Sequence, residues 1–267
     1  MRAAQVTEYG DREVLEVNDV ETPEPGSGEV RIEVKAAGIN FADIMQRRGH
    51  YQGGPEPPYI PGLEVAGVVD AVGDGVGREV GDEVVCMVDG VGGYSEYATA
   101  NAMGLFDIPE GLSFEEAAGF PVQYLTAQNC LHEWGGLEDG ESVLIHAAAG
   151  GVGTAAVQIA REAGAEIFGT ASTEEKLEKA ASLGADHTIN YEEEDFVEVV
   201  REKTDYGVDL VLDGVGGETT ERSLDALKEF GRMVVFGAAS GRPGRPGTDD
   251  ILFGNQKIIG YHLGRGI

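Results

Sequence analysis

Covalent cross-linking has almost nothing to work with in this chain. Its 267 residues include two cysteines, Cys86 and Cys130, each in apolar surroundings. Such residues serve core packing, and a reduced, cytoplasmic setting suits them better than a disulfide. Positive charge is scarce too: 19 Lys and Arg stand against 48 Asp and Glu, a formal net charge of −29. A surface of that sign argues against nucleic acid and anionic membrane as partners. No apolar run approaches the ~20 residues that a bilayer span needs. Residues 1–8 carry no signal-peptide pattern. Internal repeats and low-complexity tracts are absent.

The acids are spread along the chain rather than gathered in a tail. In dilute buffer such a surface repels itself and opposes folding, and salt screens the repulsion. The composition therefore predicts a salt-requiring, halophilic protein. Residues 230–267 are the exception, with five bases against two acids. Either this segment is less exposed, for instance at a subunit contact, or Arg242 or Arg245 lies near an anionic cofactor.

Against these absences stands one strong signal. Val143-Leu-Ile-His-Ala-Ala-Ala-Gly-Gly-Val-Gly153 runs from a short apolar stretch into small residues, then into an alanine-rich amphipathic segment. That order reads as strand, tight turn, helix. Ala148-x-Gly150-x-x-Gly153 fits a dinucleotide fingerprint with alanine in the first glycine position. Free N–H groups and the positive end of the helix dipole suit a pyrophosphate. Residues 165–171, 208–213, 232–237 and 257–262 are further buried-strand candidates, most of them following helical stretches. This alternation predicts an α/β fold with a doubly wound parallel sheet.

The first part differs in texture. Residues 29–35, 65–72 and 82–88 are β-rich runs, and Pro23, Pro25, Pro55, Pro57, Pro58 and Pro61 make long helices unfavourable there. Ser113 followed by Glu116 forms a capping pattern that opens a helix, and residues 120–134 continue as a second helical stretch. The expected division is a β-rich domain over 1–112 and a dinucleotide-binding domain over 113–267.

Several motifs together carry a family likeness. They are Ala36-Ala-Gly-Ile-Asn-Phe-Ala-Asp43, Ile60-Pro-Gly-Leu-Glu-Val-Ala-Gly67, Val80-Gly-Asp-Glu-Val84, Ala147-Ala-Ala-Gly-Gly-Val-Gly153 and Gly184-Ala-Asp-His-Thr-Ile-Asn-Tyr191. With them the chain resembles the zinc-independent quinone oxidoreductase (zeta-crystallin-like) branch of the medium-chain dehydrogenase/reductase superfamily. Residues 120–126 and 260–264 look most like the synaptic-vesicle amine-transport-related members. The likeness implies a GroES-like β-rich catalytic domain followed by a Rossmann domain, and a cytoplasmic homodimer. Relatives continue for several dozen residues past the strand matching 257–263 and so complete the first domain. That completion is expected to be missing from residues 1–267.

In zinc-using relatives a cysteine stands at the position of Asn40 and a histidine at that of Leu63. An amide and an aliphatic chain do not replace thiolate and imidazole, so no metal is expected. Residues 169–172 end the second strand without the acid that usually binds the ribose 2′-hydroxyl of NAD. In related quinone reductases, positions matching Ser172, Lys176 and Tyr191 contact the 2′-phosphate, so the likeness implies NADPH. The plain alternative for Lys176 is a solvated helix lysine. Ala148, Gly150, Gly151, Val152 and Gly153 are the expected pyrophosphate turn, and Gly237 and His262 match positions at the nicotinamide end.

Without a metal to polarise a carbonyl, an electron-poor acceptor remains: a quinone or an α,β-unsaturated carbonyl. By resemblance Asn40 lies near the nicotinamide ribose and Thr126 near the carboxamide, and Tyr51 is the candidate donor to a substrate oxygen. Asn40 could instead be a turn amide, and Tyr51 a partly buried loop aromatic. The expected activity is an NADPH-dependent quinone or enone reductase. The alternatives are an enoyl-thioester or alkenal reductase, or an NADPH-binding protein with little turnover.

Overall fold

A computed structural model describes residues 1–88 and 92–266, and it falls into two compact units, Met1–Val122 and Gln123–Ile267. In the first unit, β1 (Arg2–Val6) and β2 (Leu15–Asp19) form an antiparallel pair. β3 (Glu29–Ala37), β4 (Glu64–Val72), β5 (Glu83–Met87), β6 (Tyr97–Asn101) and β7 (Leu105–Asp107) make an antiparallel sheet in the order β6-β3-β4-β5-β7. Alternation along these strands sends Val30, Ile32, Val65, Val69, Val84 and Cys86 into one core. A short helix α1 (Phe41–Arg47) lies between β3 and β4.

The helix α2 (Phe114–Ala118) starts at the expected capping box: Ser113 Oγ accepts from the Glu116 N–H at 3.2 Å, and the Glu116 side chain accepts from the Ser113 N–H at 2.9 Å. The compact unit that holds the β-rich sheet extends through α2 to Val122. The reason is packing: Ala117 and Ala118 of α2 are buried against Ala66 and Val85 of the β-rich sheet.

The second unit is a six-stranded parallel sheet in the order β10-β9-β8-β11-β12-β13. Its strands are β8 (Ser142–Ile145), β9 (Glu166–Ala171), β10 (His187–Asn190), β11 (Val208–Asp213), β12 (Leu227–Val235) and β13 (Lys257–Gly260). Helices α3 (Pro121–Gln128), α4 (Gly151–Glu162), α5 (Glu174–Leu183), α6 (Phe196–Thr204) and α7 (Glu218–Ala226) lead into the sheet or connect its strands. Every residue of β8 and β11 is buried, as a sheet covered on both faces requires. Val143 and Ile145 join one core while Leu144 joins the other, so the period of two feeds both faces. The chain order reverses between β8 and β11, and ligands of such sheets bind at the carboxyl ends of strands beside that switch. Among the described residues, no helix is long and apolar enough to cross a membrane.

Candidate active site

The turn after β8 is built from close backbone approach. Ala147 takes a positive φ of 52°, unusual for a residue with a side chain, and Gly150 accepts the Thr154 N–H as the cap of α4. Gly153 allows the helix to sit against the turn: a Cβ there would lie 2.2 Å from the Ala147 carbonyl oxygen. Ala148 is fully buried, and its N–H donates to the Thr170 carbonyl at 3.0 Å. Val152, in the first turn of α4, is partly buried and packs against the core. The first N–H groups of a helix have no partners within it, so the opening of α4 offers an anion site.

Beside this turn lies a cavity of ≈ 430 Å³, within the usual size for a ligand site. Gly150 forms part of its rim, and Thr170 and Ser172 come from the end of β9. Lys176 Nζ, from α5, donates to Ser172 Oγ at 3.2 Å. Tyr191, half-exposed beyond β10, borders the same space and donates its N–H to the Ala171 carbonyl at 3.2 Å. Ser172, Lys176 and Tyr191, separated by up to 19 residues, thus meet on one wall. Gly237 and His262 do not line this cavity, nor do Arg242 and Arg245, which are exposed.

Three cavity residues carried no signal in the sequence. Arg222 of α7 pairs with Asp195 at 2.5 Å, and its guanidinium lies over the Phe196 ring, 4.9 Å from the centroid. His146 forms the floor, almost wholly buried. Its Nδ1 lies 3.1 Å from Thr170 Oγ1 and its Nε2 2.8 Å from Ser223 Oγ. Ser223 Oγ spends its proton on the Thr219 carbonyl at 2.6 Å, so it accepts from His146, which assigns the proton to Nε2. Burial pushes the imidazole down to about 4, against an opposing pull from Asp213, so it is neutral near pH 7. Asp213 is itself capped by the Val215 and Gly216 N–H groups and by Thr220.

In the first unit, Asn40 caps α1 and is 8% exposed. Its N–H donates to Asp43 Oδ2 at 2.8 Å, and its Nδ2 donates to Glu64 Oε1 at 2.8 Å. Glu64, absent from the sequence expectations, is fully buried, and its Oε2 accepts the Val122 N–H at 2.7 Å. Asp43 also accepts from Tyr94 OH at 2.8 Å, and burial raises its carboxyl above the ordinary range. Tyr51 is half-buried beyond α1, and burial together with the Asp43 charge raises its phenol. Its hydroxyl is therefore held in the protonated, donating form. Thr126, in the second unit, is buried on α3.

These residues differ in kind from the thiolates and imidazoles that zinc favours. Cys86 and Cys130 are both buried in cores, one in each unit, and burial lifts the Cys130 thiol to about 12. Among the described residues, no group of three or more His, Cys, Asp or Glu could hold a metal ion. An Asn40 amide committed to a carboxylate replaces no thiolate.

Two family profiles match the chain: one described as zinc-binding dehydrogenase over residues 151–266, and one described as alcohol dehydrogenase GroES-like domain over residues 26–110. The synaptic vesicle membrane protein VAT-1 homolog of Danio rerio is 40% identical over 98% of this chain, which spans 58% of that relative's length. A 2-haloacrylate reductase of Burkholderia sp is 42% identical over 90% of this chain and 74% of its own. The crystal structure of Escherichia coli quinone oxidoreductase complexed with NADPH superimposes with a TM-score of 0.89 at 36% identity, covering 98% of this chain and 81% of that one. With both halves matched, in order, the chain belongs to the medium-chain dehydrogenase/reductase superfamily, among relatives that include quinone oxidoreductases and VAT-1-like proteins.

Proposed function

We propose that the protein is a zinc-free, NADPH-dependent reductase of quinones or other electron-poor α,β-unsaturated carbonyl compounds. The observation that carries this reading is the Lys176–Ser172 pair on the cavity wall, with Tyr191 beside it and no acid at the end of β9. A hydroxyl and an ammonium attract a 2′-phosphate, where a carboxylate would repel it. The E. coli quinone oxidoreductase seen with NADPH and the 2-haloacrylate reductase support the cofactor and the acceptor class.

In this reading Ser172, Lys176 and Tyr191 hold the 2′-phosphate. The turn of Ala148, Gly150, Gly151, Val152 and Gly153, with the start of α4, holds the pyrophosphate. Gly237 and His262 serve the nicotinamide end. Bound NADPH supplies a hydride to the acceptor. Asn40 and Thr126 orient the nicotinamide riboside, and Tyr51 donates to the substrate oxygen on which negative charge develops. The GroES-like β-rich part, residues 1–112, serves the acceptor, and residues 113–267 the dinucleotide. The protein acts as a homodimer in a salt-rich cytoplasm. Its net charge of −29 motivates the last point, so its denaturation midpoint rises between low and molar KCl.

Lys176→Ala is expected to weaken NADPH binding at least about tenfold, with little effect on NADH. Titration with both nucleotides in molar KCl measures this, and equal losses would count against the assignment. NADPH oxidation against a panel of quinones and enals then tests the reaction. Tight binding without turnover on that panel favours the second reading, an NADPH-binding protein with little turnover.

A further inference from the structure

We infer that Arg222 is the residue against which the adenine base of the dinucleotide stacks, and that it serves the base through its planar guanidinium rather than a phosphate through its charge. This role rests on the reading of the cavity as a dinucleotide site, in which the phosphates have been given places and the base has not.

The cavity has two chemically different sides. Ser172 and Lys176 follow β9, while Val215 and Arg222 follow β11, and both pairs line it. β8 lies between those strands in the sheet, so the two groups reach the cavity from opposite sides of the turn at Ala147. Phe196, at the start of α6, borders it as well.

Its two cations are committed differently. Lys176 Nζ has a neutral partner, Ser172 Oγ, which leaves its charge to meet an anion. Arg222 Nη2 is already 2.5 Å from Asp195 Oδ1. That carboxylate is fixed in turn as the cap of α6, where it accepts the Val197 N–H at 2.9 Å. With its charge largely answered, Arg222 retains its plane, and a guanidinium is planar, weakly hydrated and prone to stack on rings. Its position over Phe196 shows that preference in this cavity. Phe196 is buried, and its ring meets that of His146 at 4.9 Å and 79°, so the Arg222–Phe196 pair is anchored to the floor. The floor is uncharged: the Nε2 proton of His146 goes to Ser223, and its Nδ1 faces the Thr170 hydroxyl. An aromatic side with a paired, planar cation suits a flat heteroaromatic ring better than a phosphate.

Titration with NADPH, NADH and adenosine 2′,5′-bisphosphate in molar KCl tests this. All three carry the base, and NADH alone lacks the 2′-phosphate. Arg222→Ala is expected to weaken all three by a similar factor, about tenfold. Arg222→Lys keeps a cation for Asp195 and loses the plane, so its losses should be nearly as large. Lys176→Ala should instead spare NADH. The Asp195–Arg222 side chains are each 39% exposed, so the melting temperature should change little in Arg222→Ala. Arg222→Lys retains the pair in any case.

Losses confined to NADPH and the bisphosphate, or wild-type affinities in Arg222→Lys, would make Arg222 a phosphate ligand and overturn the inference, while the cavity kept its dinucleotide. Unchanged affinities in both variants would overturn it as well, since the base would then lie elsewhere. A wild-type protein that binds none of the three would sink the reading of the cavity itself. The titrations involve no acceptor, so the nature of the reduced substrate has no bearing on them.

Discussion

In the unit Gln123–Ile267, the groups arranged to meet an anion come largely from the main chain: the turn at Ala147, Gly150 as helix cap, and the opening N–H groups of α4. In Met1–Val122, the corresponding polar atoms belong to side chains distant in sequence, Asn40 with Glu64 and Asp43 with Tyr94. A main-chain site depends on where a Cβ can be tolerated. A side-chain site depends on which partner carries the proton. The two units should therefore fail in different ways when perturbed, and three perturbations sharpen that contrast.

Substitution in the turn should have the largest effect. Gly153→Ala drives a Cβ to 2.2 Å from the Ala147 oxygen and 2.8 Å from Ala148 Cα, both main-chain atoms that cannot swing aside. A loss of about 3 kcal/mol in stability is expected, on the order of other overpacked sites, with NADPH affinity falling more than about tenfold. Gly150→Ala meets the Ala147 oxygen only at 3.1 Å and should cost less than about 1 kcal/mol. Urea denaturation and nucleotide titration of both variants measure this, and similar losses would remove the main-chain argument.

Acid should act on the two units with opposite sign. The folded state holds His146 down at about 4, below the 6.5 of a free imidazole. Its contribution is fully present above pH 6.5 and is lost as pH falls toward 4, to a total on the order of 3 kcal/mol. Asp43 is shifted upward by burial, so its contribution is present at low pH and declines as pH rises through its folded value. Denaturation between pH 7 and pH 4.5 should show the loss, and His146→Gln should flatten it. A slope unchanged in that variant would move the acid sensitivity elsewhere.

The smallest effect belongs to the phenol behind Asp43. Tyr94→Phe removes the 2.8 Å hydrogen bond to Oδ2 while the Asn40 N–H remains. A destabilisation of about 1 kcal/mol is expected by chemical denaturation. A loss several times larger would mean that Tyr94 alone keeps this carboxylate buried.

The same contrast explains what the sequence made legible. The turn at 148–153 is a local spacing, and β9 and β11 are runs buried on both faces, so these elements lie close to where the pattern put them. The capping box at Ser113 is equally local. β10, four residues long with mostly polar or half-buried positions, had neither an apolar run nor an alternation to reveal it. Glu64 is separated from Asn40 by 24 residues, and nothing in its immediate sequence says that a buried carboxylate will face an amide. Arg222 and Phe196 meet at the cavity only because α6 and α7 pack together. Lys176 is singled out by the family likeness, but its contact with Ser172 becomes definite only with α5 in place.

The central claim is that this cavity is the seat of the adenosine 2′-phosphate of NADPH, and a crystal structure of the NADPH complex grown in molar KCl tests it most directly. The phosphate should lie against Ser172, Lys176 and Tyr191, with the pyrophosphate at the start of α4. A dinucleotide bound elsewhere, or a 2′-phosphate turned to solvent away from Lys176, would contradict the account.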